Sequence, residues 1–231
     1  DLVRSHEQLP PVKPKNVVIS KRAGDWYIAF KIECEPEPHP KSKTSIGVDI
    51  GINTLATMSD GTTHPNPKAY RRAKRKLAKL QKELCRRQKG GKNREKTKLK
   101  LAKAHKRIAD VRADNLHKLT THLAKNHGEV KIENLNVSGM LKNHKLAGAI
   151  ADGGFYEFRR QLEYKCDWYG SQLTLIDQWF PSSQICSNCG HKQKMRINQR
   201  TYDCPNCGIS IDRDLNAAIN LEGAESSAVQ A

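Results

Sequence analysis

Apolar residues recur along this chain with two different periods, and the switches between them mark the elements. KNVVIS (15–20) and WYIAFKIEC (26–34) are β-branched and aromatic stretches on either side of Lys21–Asp25, which contains Gly24; this pattern predicts a β-hairpin. TSIGVDIG (44–51) predicts a buried strand ending in a turn, with NTLATMSDG (53–61) as its antiparallel partner. EVKIENL (129–135) and QLTLIDQWF (172–180) predict a third and a fourth strand. Elsewhere the period lengthens to that of a helix. Between Pro67 and Gln88, Ala73, Leu77, Leu80 and Leu84 recur at spacings of four, three and four. After KGGKN the same spacing returns at Leu101, Ala104, Ile108 and Val111, and Leu116, Leu119 and Leu123 carry it to Asn126. Two long helices joined by a Gly-Gly turn form an αα-hairpin, 66–127, with a narrow apolar seam. Residues 155–168 predict an amphipathic helix with Phe155, Phe158, Leu162 and Cys166 on one stripe, and 212–223 a short helix ending near Gly223. Residues 1–14 and the linker 35–43 are polar and proline-rich, and 224–231 reads as a disordered tail. Strands interleaved with helices make this an α/β chain.

Charge changes the reading of the helical hairpin. The 231 residues carry 41 Lys+Arg against 24 Asp+Glu, a formal +17. Residues 68–107 hold 19 of the basic residues and only two acids, Glu83 and Glu95, so this segment owns the whole excess. A solvated helix face mixes signs for i,i+4 support; this one does not. A neutral globule with one cationic arm is suited to a polyanion, and Arg71, Arg72, Arg75, Lys79, Arg86 and Arg87 are the candidate nucleic-acid contacts. No apolar run is long enough to span a membrane, and DLVRSHEQLPP is no signal peptide, so the expected location is cytoplasmic and nucleic-acid-associated.

Of seven cysteines, Cys186, Cys189, Cys204 and Cys207 form C-x2-C-x14-C-x2-C. An odd count with no secretory signal argues for a reducing compartment and metal-bound thiolates. In CSNCG and CPNCG the glycine after the second Cys permits the tight turn that aims backbone N–H groups at sulfur. Four thiolates make a closed tetrahedral site, hence structural Zn2+ in a ribbon over 183–210.

Three acidic positions stand in apolar surroundings: Asp49 in IGVDIG, Glu133 in KIENLN, and Asp212 with Asp214 in DRDLNAA. Carboxylates among apolar strands are costly unless paired or on metal, and several brought together would select Mg2+ or Mn2+. Two such ions activate a water and steady the leaving oxygen in phosphodiester cleavage. Singly, each acid has another reading: Asp49 as a turn acid, Glu133 as a strand-end acid, Asp212 as an N-cap. The residues alone leave both open.

GVDIGINTLAT, IENLNV, PSSQICSNCG, YDCPNCG and DRDLNAA, in that order, resemble the nuclease half of the TnpB (OrfB) family of transposon-encoded proteins, relatives of the type V CRISPR effectors. The resemblance runs from about residue 15 to 222. It implies an RNase H-like (RuvC) fold: a five-stranded mixed sheet with a helical insertion and an inserted zinc ribbon. The RuvC-like domain would occupy 41–182 and close with its final motif and helix at 211–223. Residues 1–40 would be the remnant of an N-terminal β domain and its linker, making the chain an N-terminally truncated member or a fragment. The family's catalytic acids match Asp49, Glu133 and, two residues before Asn216, Asp214; Asp212 would support or cap, with Asn53 and Asn216 as supporting groups. The implied activity is RNA-guided DNA endonuclease cleavage with a guide RNA and a target DNA, and no small-molecule substrate. A non-cleaving RNA- or DNA-binding accessory of transposition is the other reading.

Overall fold

The structure is a computed structural model that describes residues 13–35, 42–196 and 198–225. The chain forms two compact units, one from residues 13–35 with 77–107, the other from 42–76 with 108–225.

In the first unit, β1 (Asn16–Arg22) and β2 (Asp25–Lys31) pair antiparallel in unbroken register, from Asn16 opposite Lys31 to Arg22 opposite Asp25. The hairpin is tighter than the sequence reading, with Ala23 and Gly24 alone in the turn. The unit also takes the distal parts of α1 (Ala69–Arg86) and α2 (Lys92–Asn126). Their turn is closed by Arg94, whose guanidinium donates to the carbonyls of Leu84 and, at 3.1 Å, Arg87. Buried Thr97 donates to Glu83 at 3.2 Å across the helix pair. Leu99 packs at Gly24, Lys103 lies 3.9 Å from Asp25, and the Lys106 ammonium sits 5.2 Å over the Tyr27 ring.

The second unit is built on a mixed sheet in the order β5-β4-β3-β6-β7. These are β3 (Ser42–Ile50), β4 (Thr54–Met58), β5 (Thr63–Pro65), β6 (His127–Glu133) and β7 (Gln172–Ile176). β6 and β7 run parallel to β3, and β4 and β5 antiparallel. Alternation along each strand sends every second residue to one face. Ile46, Val48, Val130 and Ile132 therefore share a face, where they pack on Leu116, Leu119 and Leu123 of α2 and on Phe155, Phe158 and Leu162 of α5 (Phe155–Tyr169). The opposite face carries Ser45, Gly47, Asp49, Lys131 and Glu133 and receives α6 (Arg213–Gly223). Gly47 is what lets α6 approach: a Cβ there would collide with the Ala218 carbonyl and stand 2.6 Å from the Glu222 amide nitrogen.

Several expectations need correcting. The fourth strand stops at Ile176, because residues 177–180 turn about Asp177, whose side chain accepts the Trp179 N–H at 2.7 Å. Val111 departs from the apolar seam and is 38% exposed. Ala224, assigned to a disordered tail, is buried against Ile176 and Leu221 and its carbonyl accepts from Lys131 at 2.8 Å; 226–231 lie outside the described residues. So do 1–12 and most of the 35–43 linker, of which Ser42 and Lys43 already belong to β3. The reading missed β5 and the short helices α3 (Val137–Met140) and α4 (Ala147–Gly153), each too brief to show a period.

Candidate active site and cysteine cluster

Strand register places the first two acids. Val48 pairs with Ile132 in parallel, so the next residues, Asp49 one short of the end of β3 and Glu133 at the end of β6, come side by side on the α6 face. The third acid comes with α6, which runs antiparallel across β3. Ser45 donates to Glu222 at 3.2 Å near the helix end, Gly47 meets Ala218 midway, and Asp49 meets the first turn, where Asp214 stands. Burial, then the charges of Asp214 and Glu133, push the Asp49 carboxyl up to about 7. Burial pushes Glu133 up to about 7 as well. Asp49, Glu133 and Asp214 thus line one cleft of about 880 Å³, where Asp49 feels the charge of both other acids.

The DRD acids divide their work by geometry. Asp212 is the N-cap of α6, its side chain accepting the backbone N–H groups of Asp214 at 2.9 Å and Leu215 at 3.0 Å. Asp214 faces the cleft and is held by Arg213 at 3.0 Å and by Arg200 at 3.8 Å. Asn53 is exposed on the cleft rim. Asn216 is not in the cleft: its fully buried amide accepts the Ser187 N–H at 2.9 Å and donates to the Ile185 carbonyl at 2.7 Å, clasping the backbone on both sides of Cys186. An N-A pair after an acid reads the same whether the Asn turns toward a metal or toward a neighbouring loop, so sequence could not separate the two. Arg200, Arg213 and Trp179 also line the cleft and went unnoticed, although Arg213 stands inside the DRD motif.

The cysteine cluster needs far less of the fold. The sulfurs of Cys186, Cys189, Cys204 and Cys207 all lie within 4.8 Å of one another, with Cys186–Cys207 and Cys189–Cys204 at 3.6 Å. Tetrahedral zinc with Zn–S bonds of ~2.3 Å separates its sulfurs by roughly 3.8 Å, so the cluster is compatible with a structural zinc. Gly190 and Gly208 both take φ 74°. These left-handed turns let the His191 and Ile209 N–H groups reach the Cys189 and Cys207 sulfurs. The side-chain amide of Asn188 and the Ile209 N–H hold the Cys207 thiol down at about 6, a ready thiolate. Buried Tyr202 forms the ribbon's small core on β8 (Thr201–Asp203), which pairs with β9 (Ser210–Asp212); its hydroxyl donates to the His191 carbonyl at 2.8 Å. β9 ends at the α6 cap, so the ribbon leads directly into Asp214.

Of the candidate nucleic-acid contacts, Arg71, Arg72, Arg75, Lys79 and Arg86 are exposed on α1. Arg87 is half-buried and bonded to Glu83, which removes it from the free cationic face. The start of α1 is capped by buried Asp152, which accepts the N–H groups of Tyr70 at 2.8 Å and Arg71 at 3.1 Å.

The OrfB family model, described as "Probable transposase", matches residues 29–144, half of the chain. The chain belongs to the OrfB (TnpB) family. Residues 155–221 of this OrfB chain match a second model, the Cas12f1-like TNB domain, which spans α5, the cysteine ribbon and most of α6. A protein of Streptomyces pristinaespiralis named "Putative RNA-guided DNA endonuclease" is 44% identical over 96% of the chain and 56% of that protein. "Putative RNA-guided DNA endonuclease InsQ" of Escherichia coli K12 is 38% identical over 91% of the chain and again 56% of the relative. The OrfB chain therefore spans about half the length of these curated relatives. A solved CRISPR–Cas12f ternary complex contains a chain of like fold, with a TM-score of 0.57 at 17% identity over 92% of this chain and 46% of that one. Among the described residues no helix is long and apolar enough to cross a membrane.

Proposed function

We propose that this chain carries the metal-dependent nuclease centre of an RNA-guided DNA endonuclease, on a RuvC-like domain, with Asp49, Glu133 and Asp214 as the ligands of Mg2+ or Mn2+. The observation that carries the reading is the convergence of three carboxylates from separate segments onto one cleft, two of them with pKa values pushed up to about 7. Arg200 and Arg213 pair with Asp214, yet they leave the Asp49 and Glu133 carboxyls well above the usual range. The donors are hard oxygens in an open cleft, which fits magnesium or manganese and not a soft or closed site. A pair of such cations supplies, when bound, an activated water and a stabilised leaving 3′ oxygen.

The chain's own residues do the rest. The sheet register fixes the spacing of Asp49 and Glu133, and Asp212 fixes the first turn of α6 so that Asp214 faces them. Arg200 and Arg213 offer guanidinium groups to a phosphate entering the cleft. The exposed basic residues of α1 supply backbone affinity without sequence reading, as expected where a guide RNA provides the recognition. Zn2+ in the four-cysteine cluster would hold the ribbon that feeds α6. Names of relatives support this reading, since two are endonucleases by description and the fold neighbours include a Cas12f1–sgRNA–target DNA complex.

The test is cleavage in Mg2+ by the full-length parent with its RNA, repeated with this chain, with DNA binding measured in parallel. Asp49→Ala, Glu133→Ala and Asp214→Ala should each lose more than about 100-fold in cleavage, beyond the range of losses in supporting groups, with affinity nearly unchanged. Asp212→Ala should retain measurable activity. Parental cleavage by Asp49→Ala or Glu133→Ala defeats the nuclease reading; tight binding with no cleavage by any form favours a non-cleaving accessory.

A further inference from the structure

Trp179 is 82% exposed, the most open of the large hydrophobic side chains described. Its setting is unlike that of the other two tryptophans. The Lys21 ammonium sits 5.0 Å over Trp26, and Trp168 meets Tyr164 edge-on at 5.1 Å. Among the described residues no ring and no cation covers Trp179. It nevertheless stands on a well-fixed turn. Its N–H donates to Asp177 Oδ1 at 2.7 Å, the Phe180 N–H to the Asp177 carbonyl at 3.0 Å, and the Ser182 N–H to the Phe180 carbonyl at 2.8 Å. Phe180 packs onto Ile176, Leu221 and Ala224 beneath the α6 face, which pins the turn to the sheet. The turn fixes where the backbone presents the bare indole, so the cost of placing that backbone is met by the fold and only the side chain is left to order on binding.

The indole lines the same cleft as Asp49, Glu133 and Asp214, with Arg200 and Arg213 on its walls. We infer that Trp179 is a stacking platform for one unpaired nucleobase of the DNA strand entering the cleft, and so positions its phosphodiester over the carboxylates. The choice of ligand rests on the nuclease reading above. Carboxylates that would hold cations, guanidiniums at the wall and an uncovered aromatic face at the mouth match, in order, the scissile phosphate, the neighbouring phosphate and the base of a single strand. Every base offers a π-face, so such a platform is tolerant of sequence. That suits a centre whose recognition lies elsewhere. Trp179 is a positioning residue in this role, touching the base and not the reacting atoms.

The experiment uses the 231-residue chain and single-stranded DNA oligonucleotides with 2-aminopurine at successive positions, first in Ca2+ and then in Mg2+. Quenching of 2-aminopurine is expected at one bound position. Trp179→Ala should abolish that quench and weaken binding roughly 5- to 150-fold, the span for loss of one base–aromatic stack. Trp179→Phe should recover most of both. Because the side chain is exposed, Trp179→Ala should unfold at the parental temperature, which separates a contact from a fold defect. In cleavage, Trp179→Ala should raise KM and lower kcat together, because an unstacked strand is neither held nor aligned, and Trp179→Phe should recover both. Absence of any quench with the parent at saturating oligonucleotide, or parental quenching by Trp179→Ala, overturns the proposal. A Trp179-dependent quench where neither this chain nor the full-length parent with its RNA cuts upholds the platform and defeats the nuclease reading instead; parental cleavage, KM and quenching in Trp179→Ala defeat the platform alone.

Discussion

The four-cysteine ribbon and the carboxylate cleft are both gatherings of acidic side chains, and they are assembled in opposite ways. The ribbon's four sulfurs come from 22 consecutive positions, aimed by turns whose geometry is written beside each Cys pair. Its apolar support is small: Tyr202 with the two buried cysteines, and Met195, Ile209 and Ile211 at the edge. The cleft's three carboxylates are 84 and 81 residues apart along the chain. They are brought together by a sheet with a large apolar core on its far face. The difference predicts different dependence on metal. A site with little core of its own folds with its metal, whereas a site mounted on a finished core keeps its shape and gains only function. Asn216 and the Asp212 cap join the two regions through α6.

The widest separation should come from Cys204→Ser or from zinc chelation. Apparent zinc affinities of ribbon-type sites are worth about 10–16 kcal/mol, so losing the metal should unfold residues 183–210. Limited proteolysis should cut within the ribbon while the sheet unit stays intact, and elemental analysis of chelator-free protein should give one zinc per chain. Loss of the sheet along with the ribbon would erase the contrast. Gly47→Ala tests the other region. Its Cβ would strike α6 backbone, which cannot swing aside as a side chain can. A cost of about 1–3 kcal/mol corresponds to a melting temperature roughly 2–12 °C lower for a domain of this size. Zinc content should stay at one.

Asn216→Ala probes the joint. It leaves the Ser187 N–H and the Ile185 carbonyl without this partner, costing about 1–3 kcal/mol. Ribbon protection in hydrogen exchange should fall more than protection of β3 and β6. If Asn216 served the carboxylates instead, Mg2+ dependence would change and ribbon exchange would not. The smallest effect should be confined to the sheet scaffold. Lys165 of α5 is buried, its ammonium held by the His117 carbonyl and the Thr120 and Thr121 hydroxyls, and burial lowers its pKa to about 8. The unfolded chain, with an ordinary lysine near 10.4, binds more protons between about pH 8 and 10.4. Stability should therefore rise with pH across that window, on the order of 1 kcal/mol from this group, and Lys165→Met should flatten the rise in thermal melts.

Much of this molecule was legible in its residues because much of it is periodic or locally encoded. The α5 stripe of Phe155, Phe158, Leu162 and Cys166 is buried as the helical spacing predicts. The alternation in TSIGVDIG places Ile46 and Val48 in the core and Asp49 on the other face. The cysteine spacing and its two glycines aim the four sulfurs at one another over 22 positions, and of α6 the knuckle at Cys186 takes only the clasp of Asn216 and Asn220. What the residues left open was which way a polar group turns once the layers meet. The family resemblance, not the spacing of the two acids, assigned the cap to Asp212 and the cleft to Asp214, and the α6 cap and the approach of β3 put them there. Asn216 goes to the ribbon, and Arg87 to Glu83. Arg200 reaches Asp214 from the far side of two cysteines, and Trp179 stands bare because the strand before it ends four residues short of expectation. Period and spacing are properties of neighbours along the chain, and sequence determined them. The meeting of carboxylates from three segments depends on strand register and on the packing of a helix over Gly47, and those only tertiary structure decided.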